Sequence, residues 1–216
     1  MDSQFWRLEQ PILSSGAQTY PFAAACHPCF KQQYVPQEAR VGVTIHFEGQ
    51  LRGEEQYVAL LQEVEAFAIA RDWRFRPIDE AEMVLNRVID ERSVDYIGPV
   101  MGIECLPHPK SDRLRFEFDR DLSMQQYCKT QFAGSEAHIE IIELLRKVAP
   151  LFVEFDVFDE GEYWELGDRS ILQANLDTVD ALLAEALRKD PTARGPIRLD
   201  NGRVVDFVSD PQPESK

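Results

Sequence analysis

Two short cysteine motifs are the first candidates for chemistry. Cys26-His27-Pro28-Cys29 is a C-x-x-C, and Cys105-Leu106-Pro107-His108 is a C-x-x-H. Three thiolates and an imidazole are a ligand set that tetrahedral zinc accepts. Cys26, Cys29, Cys105 and His108 are therefore the candidate zinc ligands, and zinc is the candidate cofactor. Such a clip would tie an irregular N-terminal arm to the rest of the chain. Against it, Cys105 shares the inward face of a predicted strand with Ile103, where a free cysteine is ordinarily a small core residue. The C-x-x-C also has redox spacing. That chemistry needs a strand before the motif and a helix N-terminus after it to lower a thiol pKa, and no strand pattern precedes Cys26.

The second constellation is a polar face. His46 and Glu48 alternate with apolar residues on one predicted strand, and Glu104, Glu117 and Asp119 do so on a predicted hairpin. A histidine among carboxylates can hold a divalent metal and activate water, the equipment of a hydrolase or lyase. The plain alternative is the wet face of a half-buried sheet, or a face covered by a terminal arm.

The third is Leu151 to Asp168, LFVEFDVFDEGEYWELGD. Val153, Phe155 and Val157 alternate with Glu154 and Asp156, which predicts a strand with the apolar set facing inward. A carboxylate-rich loop follows. Between Glu154 and Asp168 there are seven carboxylates and no Lys or Arg. That density repels itself unless water, a cation or a basic partner offsets it. A calcium-loop register set on Gly161 fails, because Phe158 and Gly167 then fall where acidic ligands are required. The remaining reading is an interaction surface of Asp159, Glu160, Glu162, Tyr163, Trp164 and Glu165, with the acids steering a partner and the rings anchoring it. The alternative is a solvated loop whose two rings tuck onto the core.

His138 falls in the first turn of a predicted helix and reads as an exposed histidine. No glycine-rich phosphate loop, no G-x-S-x-G and no H-E-x-x-H occurs.

Composition bounds the classes. A formal net charge of −15, from 38 acidic and 23 basic residues, disfavours direct binding to nucleic acid or anionic membranes, both of which need a positive face. It favours electrostatic steering toward a basic protein. The hydrophobic fraction of 44% supplies a real core. MDSQFWRLEQ has no charged stretch leading into an apolar run, so no secretory signal is expected. The cysteines are then expected as reduced thiols in the cytoplasm.

The elements that must position these residues follow from periodicity. Residues 1–40 read as an arm broken by prolines and packed on the domain. Residues 41–190 read as a single α+β domain, and 191–216 as a C-terminal hairpin and tail with Asp200-Asn201-Gly202 at its turn. Within the domain, strands are predicted at 41–48, 72–78, 97–106, 112–119 and from 151. Helices are predicted at 54–71, from Asp79 to Val88 or Ile89, from Ser135 to Ala149, and 169–188. The core order is strand, helix, strand, strand, helix, strand, helix. That is the ferredoxin-like split βαβ order, with an insertion after the first helix and helices on one face of an antiparallel or mixed sheet. The functional expectation is a cytoplasmic, non-enzymatic interaction module that docks a basic partner through its acidic-aromatic surface. The alternative is a metal-dependent enzyme using His46, Glu48, Glu104, Glu117 and Asp119.

Overall fold

The computed structural model describes residues 42–89 and 92–208. β1 (Thr44–Leu51) alternates as expected, with Ile45 and Phe47 buried and His46 and Glu48 on the other face. α1 (Glu54–Ala70) lays Leu60, Val64, Phe67 and Ala68 against the core, the stripe its 3.6-residue period dictates. β2 (Arg74–Ile89) and β3 (Arg92–Leu106) form a long antiparallel pair. The helix expected from Asp79 is thus the second half of a strand. β4 (Leu114–Phe118) pairs antiparallel with β3, as expected, burying Leu114, Phe116 and Phe118. β5 (Ser123–Lys129), for which no strand is predicted, follows at once.

α2 (Gly134–Val148) begins one residue before Ser135, and its N-cap residue Ala133 makes no side-chain capping bond. β6 (Phe152–Asp159) leads through the short helix α3 (Tyr163–Leu166) to α4 (Arg169–Lys189). Asp168 caps α4 by accepting from the Ser170 N–H at 2.8 Å. β7 (Ile197–Arg198) and β8 (Val204–Val205) form the expected C-terminal hairpin. Gly202 takes the positive φ of 84° that its turn requires.

The sheets are antiparallel, one ordered β5-β1-β6 and the other β2-β3-β4. Backbone bonds link β4 and β5 at both ends: Asp112 N–H to Lys129 O at 2.8 Å and Asp119 N–H to Ser123 O at 3.0 Å. The main core lies between the sheets and α1 and α2. A second buried cluster of Val43, Ile139, Leu172, Leu176 and Val179 lies under α4. Each fully buried large apolar side chain contributes about 1.5–3 kcal/mol relative to exposure.

Two local features depart from simple alternation. Gly102 sits opposite Glu117 with φ 152°, and a Cβ there would lie 1.8 Å from the Phe116 carbonyl oxygen, so only glycine fits. In β6 the expected inward Val153 is 61% exposed. The register with β1 shifts between Gln50 and Leu51, so that Leu51 pairs with Phe152 and Val153 is left over. A bulge of this kind turns one side chain the wrong way.

Candidate functional site

On the polar sheet face the carboxylates Glu104, Glu117 and Asp119 are buried, while His46 stays partly exposed. Glu104 is 2% exposed. It accepts from Arg76 Nε at 2.5 Å and Arg113 Nη1 at 2.6 Å, and lies 3.3 Å from Arg115 Nε. Glu117, also buried, accepts from Gln126 and stands 3.8 Å from Arg115. Asp119 lies 3.3 Å from Arg87 and accepts from the N–H groups of Asp121 and Ser123. The C-terminal hairpin extends the same pattern. Buried Asp112 accepts from Val204 N–H at 2.6 Å and from Lys129 N–H at 3.1 Å, with Arg203 at 3.4 Å.

The pKa values of Glu104 and Glu117 move in opposite directions for physical reasons. Burial pushes both carboxyls up. At Glu104 the bond from Arg76 and the charges of Arg113 and Arg115 more than offset it, and the group sits below the ordinary carboxylate value. At Glu117 burial prevails over Arg115, Arg203 and Arg87, and the group sits above it.

The proposed metal-enzyme residues therefore do not converge. Glu104, Glu117 and Asp119 sit under guanidinium groups. Glu48 accepts from Gln125, whose amide also bonds the Val88 backbone. His46 lies between the rings of Tyr127 and Phe158, each 5.9 Å away, with Glu160 Oε1 at 3.9 Å. Among the described residues no group of three or more His, Cys, Asp or Glu side chains is placed to hold a metal. A cleft of about 490 Å³ runs between β5 and the C-terminal hairpin, but its charges are already engaged. Lys129 pairs with Asp206 at 2.7 Å, and Arg203 stacks 3.7 Å over Tyr127.

For the zinc set, Cys26 and Cys29 lie outside the described residues. Cys105 is buried in the core, and burial, with the Glu104 charge, pushes its thiol up to about 12. His108 is turned into its own loop, where its Nδ1 accepts from Lys110 N–H at 3.1 Å. Cys128 is a second buried free thiol, raised by burial and by Asp112.

The acidic-aromatic stretch divides into two parts. Asp159 is 3% exposed and does not belong to any surface. Its Oδ1 accepts from Gly161 N–H at 2.7 Å, and its Oδ2 accepts from Tyr163 and Trp164 N–H at 2.8 and 2.9 Å. His138 Nε2 lies 3.0 Å from the same Oδ2, and His138 Nδ1 lies 2.8 Å from the Thr130 hydroxyl. Burial alone would raise Asp159, but the His138 imidazole and these N–H donors hold it below the ordinary value. An ionised Asp159 accepts only, so Nε2 carries a proton.

His138 is fully buried, contrary to the exposed placement expected from its turn. Its signal was its place three, four and seven residues before Ile141, Ile142 and Leu145, on the helix's inward stripe. The Thr130-His138-Asp159 chain resembles a nucleophile-base-acid relay in order. All three residues are buried, and none of them lines the cleft. What it does is pin the start of α2 to the loop after β6.

The other part faces outward. Glu154, Asp156, Glu162, Glu165 and Asp168 are exposed. Glu160 bends back to accept from Thr44 N–H at 2.9 Å. Tyr163 and Trp164 are half-buried against the core, and Arg146 lies 5.8 and 5.5 Å from their ring centres while donating to both carbonyls.

No protein-family model, curated protein or solved structure matches this chain. No described helix is long and apolar enough to cross a membrane.

Proposed function

We propose that this chain is a non-enzymatic binding module that docks a basic protein partner through the outer side of β6 and the loop after it. One observation carries the reading. The chain neutralises its buried carboxylates Glu104, Glu117, Asp119 and Asp112 with arginines, yet leaves Glu154, Asp156, Glu162 and Glu165 in solvent within a stretch that contains no Lys or Arg. Exposed like charges at this density raise the local potential and speed encounter with an oppositely charged surface. Trp164, half-buried beside Phe155, supplies the ring that a docking surface uses as an anchor.

With β4 beside β5, the strand succession β6-β1-β5-β4 with α1 and α2 is the ferredoxin-like split βαβ arrangement, and the β2–β3 hairpin is an arm inserted after α1. That arrangement serves many activities and selects none. A cytoplasmic location fits the unpaired thiols Cys105 and Cys128.

The test is the association rate of the full chain with a short immobilised peptide rich in lysine. Neutralising Glu154, Asp156, Glu162 and Glu165 together to Gln or Asn is expected to slow association about tenfold at low salt and to flatten its salt dependence. Glu160 is left alone because it holds the Thr44 backbone. An unchanged rate would sink the proposal.

A further inference from the structure

We propose that β6 takes up an extended segment of the basic partner as an added antiparallel or parallel strand, and that this segment alternates basic and apolar residues. The inference rests on the docking reading above and names its mode.

The first support is the backbone. Among the described residues β6 pairs with β1 and with no other strand. Glu160 N–H donates to Thr44 O at 3.1 Å, which fixes the phase of the ladder. In an antiparallel pair, bonded and non-bonded positions alternate. The pairs His46–Phe158, Glu48–Asp156 and Gln50–Glu154 are then the bonded ones. The other side of β1 agrees, since Val43 O accepts from Thr130 N–H and Leu51 N–H donates to Leu122 O. Phe155 and Val157 are left with their N–H and C=O groups directed off the sheet.

The second support is the side chains that would flank an added strand. Glu154 and Asp156 are exposed on the face that carries Gln50 and Glu48. Phe155 and Val157 are half-buried on the opposite face, with Trp164 edge-on to Phe155 at 6.5 Å between centroids. Residues of an added strand alternate between these faces. One set would meet carboxylates and the other would meet rings and branched carbons, which is strand addition with side-chain selection.

Charge also decides among occupants. A second copy would set Glu154 and Asp156 against acids of its own edge. Acidic side chains and the bulge at Val153 are devices that keep edge strands from self-pairing. Residues 1–40 balance Asp2, Glu9 and Glu38 against Arg7, Lys31 and Arg40, so they offer no charge match. A basic segment does.

Backbone amide exchange, read residue by residue by NMR on the full chain, tests this with three short peptides. The first alternates lysine and valine, the second alternates glutamate and valine, and the third is the lysine peptide N-methylated at alternate residues. At about ten times its Kd the lysine peptide is expected to slow exchange at Phe155 and Val157 about tenfold. The glutamate and N-methylated peptides are expected to leave both amides unchanged. If the N-methylated peptide binds as well as its parent and neither protects these amides, strand addition is overturned while acidic docking survives. If the lysine peptide binds no better than the glutamate peptide, both proposals fall. Protection already present without peptide would also overturn the inference, assigning the edge to the chain itself, or to a second copy where the protection rises with protein concentration.

Discussion

The carboxylates buried around β3 and β4 and those exposed along the β6 edge are treated in opposite ways. Glu104, Glu117, Asp119 and Asp112 are buried, and each has an arginine within 4 Å supplied by β2, β4 or the C-terminal hairpin. Glu154, Asp156, Glu162 and Glu165 are exposed with no basic residue in their stretch. A buried carboxylate without a partner costs several kcal/mol, so the first set cannot exist without its guanidinium groups. An exposed carboxylate is stabilised by water, so the second set has no structural need of a partner and is free to meet one from outside. The comparison separates charges that hold the fold from charges that are available to function.

Breaking the first set has the largest expected effect. Arg115 bridges Glu104 and Glu117, and it is 20% exposed where its carboxylates are 2% and 6%. Arg115→Met leaves two buried carboxylates close together and short of a cation. A loss of about 3–5 kcal/mol is expected in urea denaturation at neutral pH. The loss should shrink as the pH falls, because protonating the stranded carboxyls removes the cost. A loss that does not change with pH would mean that packing of the arginine stem, not its charge, is what matters.

Asp159 is the member of the acidic stretch that belongs with the first set, being buried and fully hydrogen-bonded. Asp159→Asn replaces an acceptor of His138 and of the Gly161, Tyr163 and Trp164 N–H groups by a group that can only partly satisfy them. The expected cost is about 3 kcal/mol at neutral pH. The sign with pH follows from the depressed carboxyl. Its stabilisation is complete above the ordinary Asp value of 3.8 and is lost as pH falls through the lower folded value. The wild type should therefore show an acid limb below that ordinary value which the Asn variant lacks. Identical acid limbs would show that the carboxylate is not what the pocket stabilises.

Much of this division was invisible in the sequence, for one physical reason. The alternation of β1 and β4 and the apolar stripe of α1 placed each residue on the correct face. Whether an outward carboxylate meets water or an arginine depends on which segment lies beside it. Arg76 and Arg87 come from β2, whose second half carries Glu80, Ala81, Glu82, Met83 and Leu85, good helix formers held as a strand by pairing with β3. Arg203 comes from the far C-terminal hairpin. β5, with Gln125 and Gln126 at its centre, lacks the apolar alternation that marks a strand, although it supplies partners to Glu48 and Glu117. The acidic loop was legible because its lack of basic residues is a local property. Burial of Asp159 within it was not, since that depends on His138 arriving from α2.

The smallest expected effect tests the other side of the comparison. Glu165 sits above its ordinary value, through partial burial first and then through the charges of Asp159 and Glu162. A raised carboxyl contributes stability below the ordinary value and loses it as pH rises through the folded one, so at neutral pH the ionised Glu165 works against the fold. Glu165→Gln removes that repulsion. The change belongs to a surface site and stays within about 0.5 kcal/mol, but its sign is positive, opposite to that of Asp159→Asn a few residues away. The gain should vanish below the ordinary Glu value of 4.5, where wild-type Glu165 is itself protonated. Thermal unfolding of both proteins across pH measures it. A destabilised Gln variant at neutral pH would place Glu165 with the structural carboxylates and remove it from the docking surface.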